Sequence, residues 1–258
     1  MEDNVKIAGK NLTSRLFIGT GKLSSYSLIP KILKKTKINV ITVAVRRINP
    51  ELKHENILDY IPKDTVIMVN TSGARNAREA IKIAEIGAEI TRTDWIKVEI
   101  EVDSKYLAPD NNETLKATKY LAKKGFKVFP YISPDIVVAK KLENAGAVSV
   151  MPLGSFIGTN KGIVAKELIT PMIKELKIPV IIDAGIGRPS HAAMAMEMGA
   201  EAVLVNTAIA IAKDPVKMAI AIEKAVEAGR LAYEMGILKE EDYAKASSPL
   251  DNFIESLS

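Results

Sequence analysis

Eight short β-rich apolar runs, separated by helical patterns from end to end, constrain this chain more than any other feature. The runs are Leu16–Thr20, Val40–Val45, Thr65–Asn70, Trp95–Glu101, Lys127–Tyr131, Val148–Pro152, Val180–Asp183 and Ala202–Asn206. Between them, apolar residues recur at three- and four-residue spacing, the period of a helix face. Ile81, Ala84, Ile86 and Ala88 mark one predicted helix, and Val137, Val138, Lys141 and Leu142 mark another. A third carries Met194, Met196 and Met198, read as core filling, and the last runs from Pro215 to about Met235. Ser133-Pro134-Asp135 and Pro189-Ser190 read as helix openings, with Gly87, Gly125, Gly146 and Gly199 as helix ends. The segments between the second and third runs and after the sixth are less regular.

Strands that alternate with helices over 258 residues, with no linker or break in composition, predict one α/β domain spanning 1–258. The expected form is a closed (β/α)8 TIM barrel, with a short N-terminal extension and a C-terminal tail from about residue 247. An open doubly wound sheet is the competing arrangement. In a barrel, catalytic groups come from the C-terminal ends of the strands and the loops that follow.

Composition narrows the chemistry. There is no cysteine, so a disulfide, a thiolate nucleophile or a persulfide on this chain is ruled out. His54 and His191 stand far apart, and neither a metal nor another cofactor is expected; both histidines read as surface or capping residues. A net charge of +5 is mild: it favours anionic small molecules or an acidic partner, and is far from the dense basic stripe of a nucleic-acid binder. Met1–Lys10 carries early acids and no apolar run, unlike a signal peptide, and no stretch approaches a membrane span. The expectation is a soluble, cytoplasmic protein.

The fourth run is anomalous. In Trp95-Ile96-Lys97-Val98-Glu99-Ile100-Glu101, alternation of side chains puts Ile96, Val98 and Ile100 under the helices. Trp95, Lys97, Glu99 and Glu101 then face the lumen, where branched apolar residues are usual. A lumen lysine beside a carboxylate fits a Schiff-base nucleophile with an acid/base partner. Burial lowers the lysine pKa and Glu99 raises it, so the net shift stays open, and a structural ion pair fits the same pattern.

Other candidates lie at strand ends. Asp183-Ala184-Gly185-Ile186-Gly187 follows the seventh run and precedes Pro189, leaving backbone N–H groups for an anion, although a tight turn fits too. Asp183 is either a second proton-transfer group or a cap for that loop. Asn206-Thr207 ends the eighth run, and loops after strands seven and eight form the recurrent phosphate site of barrels. Gly154, Gly158 and Gly162 after the sixth run suit close approach of a ligand or a flexible connector. Arg46 and Arg47 end the second run, placed for a phosphate, an acidic partner or solvent, and Asn70–Ala74 gives the third a polar exit.

Taken together, these motifs resemble the thiazole synthase family, which assembles the thiazole phosphate half of thiamine. The resemblance runs from Ser14–Gly21 through Ala44–Arg47, Asn70–Ala74, Ile96–Glu99, Met151–Gly154, Val180–Gly187, Val203–Ala208 and Asp214–Ala219 to Ala246–Pro249. It implies a sulfur-transferring enzyme with a (β/α)8 barrel, acting on 1-deoxy-D-xylulose 5-phosphate. Lys97 matches the Schiff-base position, and Glu99 and Asp183 match acid/base positions. Gly158, Ala184, Gly185, Asn206 and Thr207 match positions that hold the sugar phosphate. The implied partners are a thiocarboxylated ubiquitin-like sulfur carrier protein, a dehydroglycine-producing enzyme and further copies of the chain in a homo-oligomer. The absence of cysteine agrees with delivered sulfur. Phe156 and Lys161 depart from the pattern, standing where a proline and a glutamine are expected.

Overall fold

A computed structural model describes residues 5–48, 56–245 and 247. His54 and most of the Ala246–Pro249 motif lie outside the described residues. The chain opens with an antiparallel hairpin, β1 (Val5–Ile7) and β2 (Lys10–Leu12), turned through Ala8 (φ 47°) and Gly9 (φ 83°). Positive φ at both central residues is the turn whose twist matches a two-residue hairpin. Then come β3 (Leu16–Gly19), α1 (Leu28–Lys35), β4 (Val40–Ala44), β5 (Val66–Asn70), α2 (Ala77–Thr91) and β6 (Trp95–Val98). The second half runs α3 (Asn111–Lys123), β7 (Lys127–Ile132), α4 (Ile136–Asn144), β8 (Met151–Pro152), α5 (Lys166–Glu175) and β9 (Ile181–Asp183). Last are α6 (Pro189–Glu197), β10 (Ala202–Val205), α7 (Thr207–Ala210) and α8 (Pro215–Met235).

Strands β3 to β10 pair in parallel in the order β8-β7-β6-β5-β4-β3-β10-β9. Bridges Val150↔Val180 and Leu153↔Asp183 join the two end strands, so the eight form a closed ring. This is the expected (β/α)8 barrel, not the open sheet. Seven of the eight apolar runs contain their barrel strand whole, and the fifth, Lys127–Tyr131, falls one residue short of the end of β7. Between β4 and β5 the described residues carry only two 3-10 turns, Val45–Arg47 and Ile57–Tyr60. Arg46 and Arg47 therefore stand in a turn after the strand. The other irregular stretch does form a helix, α5, with Pro171 inside it. Proline supplies no N–H to the helix ladder, which blurs its sequence signal.

Helix ends follow local chemistry. Asp135 accepts from the backbone N–H groups of Val137 and Val138 at the start of α4, and Pro189 opens α6. Gly125, Gly146 and Gly199 take φ near 90° just past α3, α4 and α6. Gly87 corrects the sequence reading: it lies inside α2, which continues to Thr91 and ends on left-handed Arg92. A Cβ at 87 would sit 2.6 Å from Val45 Cγ2 and Val69 Cγ1, so the glycine lets the helix lie close on the sheet. The inner stripe of α2 is accordingly small: Ala77, Ala80, Ala84 and Gly87 are buried and Ile86 is exposed. Val137 and Met194 are exposed too, while Leu142 and Met196 pack inside, so the methionines do not fill the core as a stripe.

Ile96, Val98 and Ile100 pack with Ala80, Ala84 and Leu121 beneath the helices, as alternation predicts. The lower lumen is apolar. Trp95 and Phe129 pack there as a tilted pair with ring centroids 4.7 Å apart, among Phe17, Met68 and Ile181. Val5, Ile7 and Leu12 of the hairpin join that cluster and close the N-terminal end of the barrel. Among the described residues no helix is long and apolar enough to cross a membrane.

Candidate active site

Above the Trp95 layer the lumen changes character and opens at the C-terminal ends of the strands as a cavity of about 410 Å³. That volume suits a small metabolite. Lys97, Glu99, Asp183, Gly158, Ala184, Gly185, Asn206 and Thr207 all line it, so residues far apart in sequence meet in one site.

Lys97 Nζ lies 2.8 Å from Glu99 Oε2 and 2.6 Å from Asp183 Oδ2, with all three side chains buried. Burial pushes the Lys97 ammonium down, but Asp183 and Glu99 outweigh it and its pKa ends above the ordinary lysine value. The net direction left open by the sequence is upward. For Glu99, burial pushes upward and the Lys97 charge, with hydrogen bonds from Glu101, Lys97 and Asn70, brings it below the usual carboxylate range. Asp183 goes the other way: burial, helped by the neighbouring Glu99 charge, keeps its carboxyl raised despite Lys97. Two carboxylates on one ammonium are thus pushed apart, which is how one site assigns an acid and a base. Asp183 reaches Lys97 inside the lumen, and its carboxyl also accepts from the Ala184 N–H at the start of the loop.

The backbone around Glu99 is held by a residue that the sequence reading names only as part of the polar exit Asn70–Ala74. Thr71 Oγ1 donates to the Glu99 carbonyl at 3.0 Å and accepts from the Glu99 N–H at 2.9 Å. One hydroxyl replaces both ladder contacts at that residue, so the regular strand stops at Val98 although the predicted run continues to Glu101. Asn70, in register with Lys97, donates Nδ2 to Glu99 Oε2 at 3.0 Å. Glu101 is half-buried at the cavity wall, where burial and the Glu99 charge push its carboxyl up to about 8. Tyr131, which the sequence reading does not single out, stands beside Lys97. Lys97 Nζ stands 5.0 Å from its ring centroid, and its buried hydroxyl has no hydrogen-bond partner. The alternation applied to the fourth run would have put Tyr131 in the lumen, two residues beyond Phe129.

The other end of the cavity is made of backbone. Ala184 and Gly185 have φ of 59° and 77°, and Gly158 has φ of 76°. Left-handed backbone at a non-glycine residue such as Ala184 costs roughly 1–2 kcal/mol and marks a position the surroundings impose. At Gly185 a Cβ would stand 2.0 Å from Ser155 Oγ, so the neighbouring loop demands this glycine before any ligand does. Gly162 N–H donates to the Gly185 carbonyl at 2.8 Å, tying the loop after β8 to the loop after β9. Asn206 lies over β3: a Cβ on Gly19 would meet its Cβ at 2.8 Å, and one on Gly21 its Nδ2 at 2.6 Å. The Gly19-Thr20-Gly21 at the end of β3 is room made for Asn206.

The remaining candidates divide. Arg46 lines the cavity, and its Nη2 donates to Ser72 Oγ at 3.3 Å. His191 accepts from the Gly187 N–H at 3.2 Å and packs on Gly162, a capping role as expected. Phe156 does not line the cavity; its ring contacts Tyr106 at 5.4 Å, linking the loops after β8 and β6.

Comparison with known proteins shows the family. Residues 6–249 match the family model described as thiazole biosynthesis protein ThiG. The thiazole synthase of Pelotomaculum thermopropionicum is 57% identical over 254 residues, covering 98% of this chain and 99% of the relative. That of Alkaliphilus metalliredigens is 56% identical, covering 98% of each. Among solved structures, the Amycolatopsis orientalis BexX/CysO complex superposes with a TM-score of 0.82 at 30% identity, covering 94% of this chain and all of that one. The chain belongs to the ThiG family, the thiazole synthases of thiamine biosynthesis.

Proposed function

We propose that the cavity binds 1-deoxy-D-xylulose 5-phosphate and that Lys97 joins its C2 carbonyl as an imine. The observation that carries this reading is the ammonium of Lys97 between Glu99 and Asp183, on the floor of a cavity whose far end is backbone and small polar side chains. Gly158, Ala184, Gly185, Asn206 and Thr207 hold the phosphate there.

The held-up pKa of Lys97 sets the first requirement: the ammonium loses a proton before its nitrogen attacks. Asp183, whose carboxyl is raised, is the better acceptor, and Glu99, held low, stays ionised beside the forming iminium. Nitrogen adds to C2, the former carbonyl oxygen takes the proton held by Asp183 and a second one from the nitrogen, and it leaves as water. Removal of the C3 proton by Glu99 gives the enaminol; reprotonation at C2, with loss of the C3 hydroxyl proton, then moves the carbonyl character from C2 to C3. Sulfur arrives as the C-terminal thiocarboxylate of a ubiquitin-like carrier, and dehydroglycine from a separate enzyme supplies nitrogen and the remaining carbon. A chain without cysteine needs that delivery. The assembly of BexX with CysO supports a protein partner for a barrel of this kind. We place the enzyme in the cytoplasm as a homo-oligomer.

Borohydride treatment in the presence of the sugar phosphate, followed by peptide mass spectrometry, tests the reading. The reduced adduct is expected on the Lys97 peptide; no adduct, or one on another lysine, overturns it. Sulfur incorporation from the thiocarboxylated carrier separates this enzyme from an aldolase that would trap the same adduct.

A further inference from the structure

We propose that Lys22 is the cation that fixes the phosphate end of the substrate, and so sets the preference for a phosphorylated sugar over a free one. This rests on the sugar-phosphate reading above and adds a residue to it. Lys22 follows Gly21 in the loop after β3, and its φ is +63°. Side chains resist this conformation, glycine does not, and a left-handed lysine at a cavity wall is strain that demands a use.

The use is visible in where the side chain goes. Lys22 Nζ lies 3.6 Å from the place a Cβ would occupy on Gly158, so the ammonium reaches across the rim from the loop after β3 to the loop after β8. Both residues line the cavity beside Ala184, Gly185, Asn206 and Thr207. That end otherwise offers backbone and neutral side chains only.

Charge leads to the same residue. The ionisable side chains lining the cavity are Lys22, Arg46, Lys97, Glu99, Glu101 and Asp183. Lys97 is committed to Glu99 and Asp183. Arg46, in the loop after the neighbouring strand β4, contacts Ser72, and its charge acts on Glu101. Among the described residues no carboxylate pairs with Lys22. A phosphate dianion entering a cavity that already holds three acids needs a cation not spent on them, and Lys22 is the one left.

The test uses Lys22→Gly, which removes the ammonium and the strained φ together, so the variant should melt at or above the parent temperature. Half-saturation of borohydride trapping by 1-deoxy-D-xylulose 5-phosphate should rise roughly 10–100-fold, the scale of a lost hydrogen bond to a charged group. Trapping of 1-deoxy-D-xylulose, which lacks the phosphate, should be unchanged, and Lys22→Arg should restore most of the loss. Calorimetric titration with inorganic phosphate gives an independent readout: binding should weaken in Lys22→Gly. Unchanged phosphate binding, or equal losses for the two sugars, overturns the proposal. A parent enzyme that traps no adduct on Lys97 overturns the Schiff-base reading instead, and the phosphate titration still decides Lys22.

Discussion

The two ends of one lumen are built on opposite principles. At the N-terminal end the inward positions are Phe17, Met68, Trp95, Phe129 and Ile181, sealed by Ile7 and Leu12 of the hairpin. Two residues further along the same strands, the inward positions become Gly19, Asn70, Lys97, Tyr131 and Asp183. Backbone geometry and sheet register are shared; only the side chains change. The lower layer is apolar surface removed from water, which stabilises the fold. The upper layer buries three charges whose desolvation costs several kcal/mol each and is offset mainly by their mutual contact. One end supplies stability that the other consumes, and the hairpin plug keeps water from reaching the charges from below.

The comparison breaks if the lower end proves catalytic or the upper end inert. The largest effect is expected for Lys97→Ala, which should abolish both the trapped adduct and turnover. It also leaves Glu99 and Asp183 buried without their counter-ion, a loss of about 3–5 kcal/mol. Chemical denaturation should show that loss shrinking as pH falls and the two carboxyls take up protons. Lys97→Arg keeps a charge but forms no imine, so it should fail in turnover while losing less stability.

Next are the two acids. Glu99→Gln and Asp183→Asn should each lower turnover about 10²–10⁴-fold while sugar-phosphate binding survives. Parent-like rates in both variants would make these carboxylates structural counter-ions. Each change also removes a charge that holds the Lys97 pKa up, so the rise of adduct formation with pH should begin at lower pH than in the parent.

At the lower end, Leu12→Ala should cost about 2–5 kcal/mol of stability through the space it leaves. Turnover per folded molecule should be close to that of the parent. A fall in turnover without a fall in stability would mean that the plug shapes the charged layer directly.

The smallest effect concerns Glu101. Its carboxyl is pushed up to about 8 in the folded chain, above the ordinary glutamate value of 4.5. Ionising it in the fold is therefore unfavourable, and stability relative to an uncharged residue falls as pH rises from about 4.5 to 8. Glu101→Gln should match the parent in melting temperature near pH 4 and exceed it increasingly up to pH 8. Equal melting temperatures at pH 9 would show that the group is solvated and plays no part in the charged layer.

Much of this contrast is legible in the sequence. A period of two in Trp95–Glu101 places an aromatic, a lysine and two glutamates on one face because successive side chains on a strand point to opposite sides. Eight such runs alternating with helices leave a barrel as the arrangement that covers every strand. The glycines at 125, 146 and 199 end helices because each takes a left-handed φ there. These are local facts, written in neighbouring residues.

Other features depend on residues that meet only when the ring closes. Gly87 looked like a helix end, yet it is fixed by Val45 and Val69 on other elements. Gly185 is required by Ser155, and Gly19 and Gly21 by Asn206, pairs separated by 30 positions or far more. No period in the chain announces them. The direction of the Lys97 shift was open for the same reason: Glu99 sits two residues away, but Asp183 comes from a strand three places round the ring, β6-β7-β8-β9. Sequence alone determined which residues are inward and which turns are possible, because both follow from the backbone's own geometry. Tertiary structure decided which inward residues touch, and with that which carboxyl is raised, which is held low, and which lysine is left free for an anion.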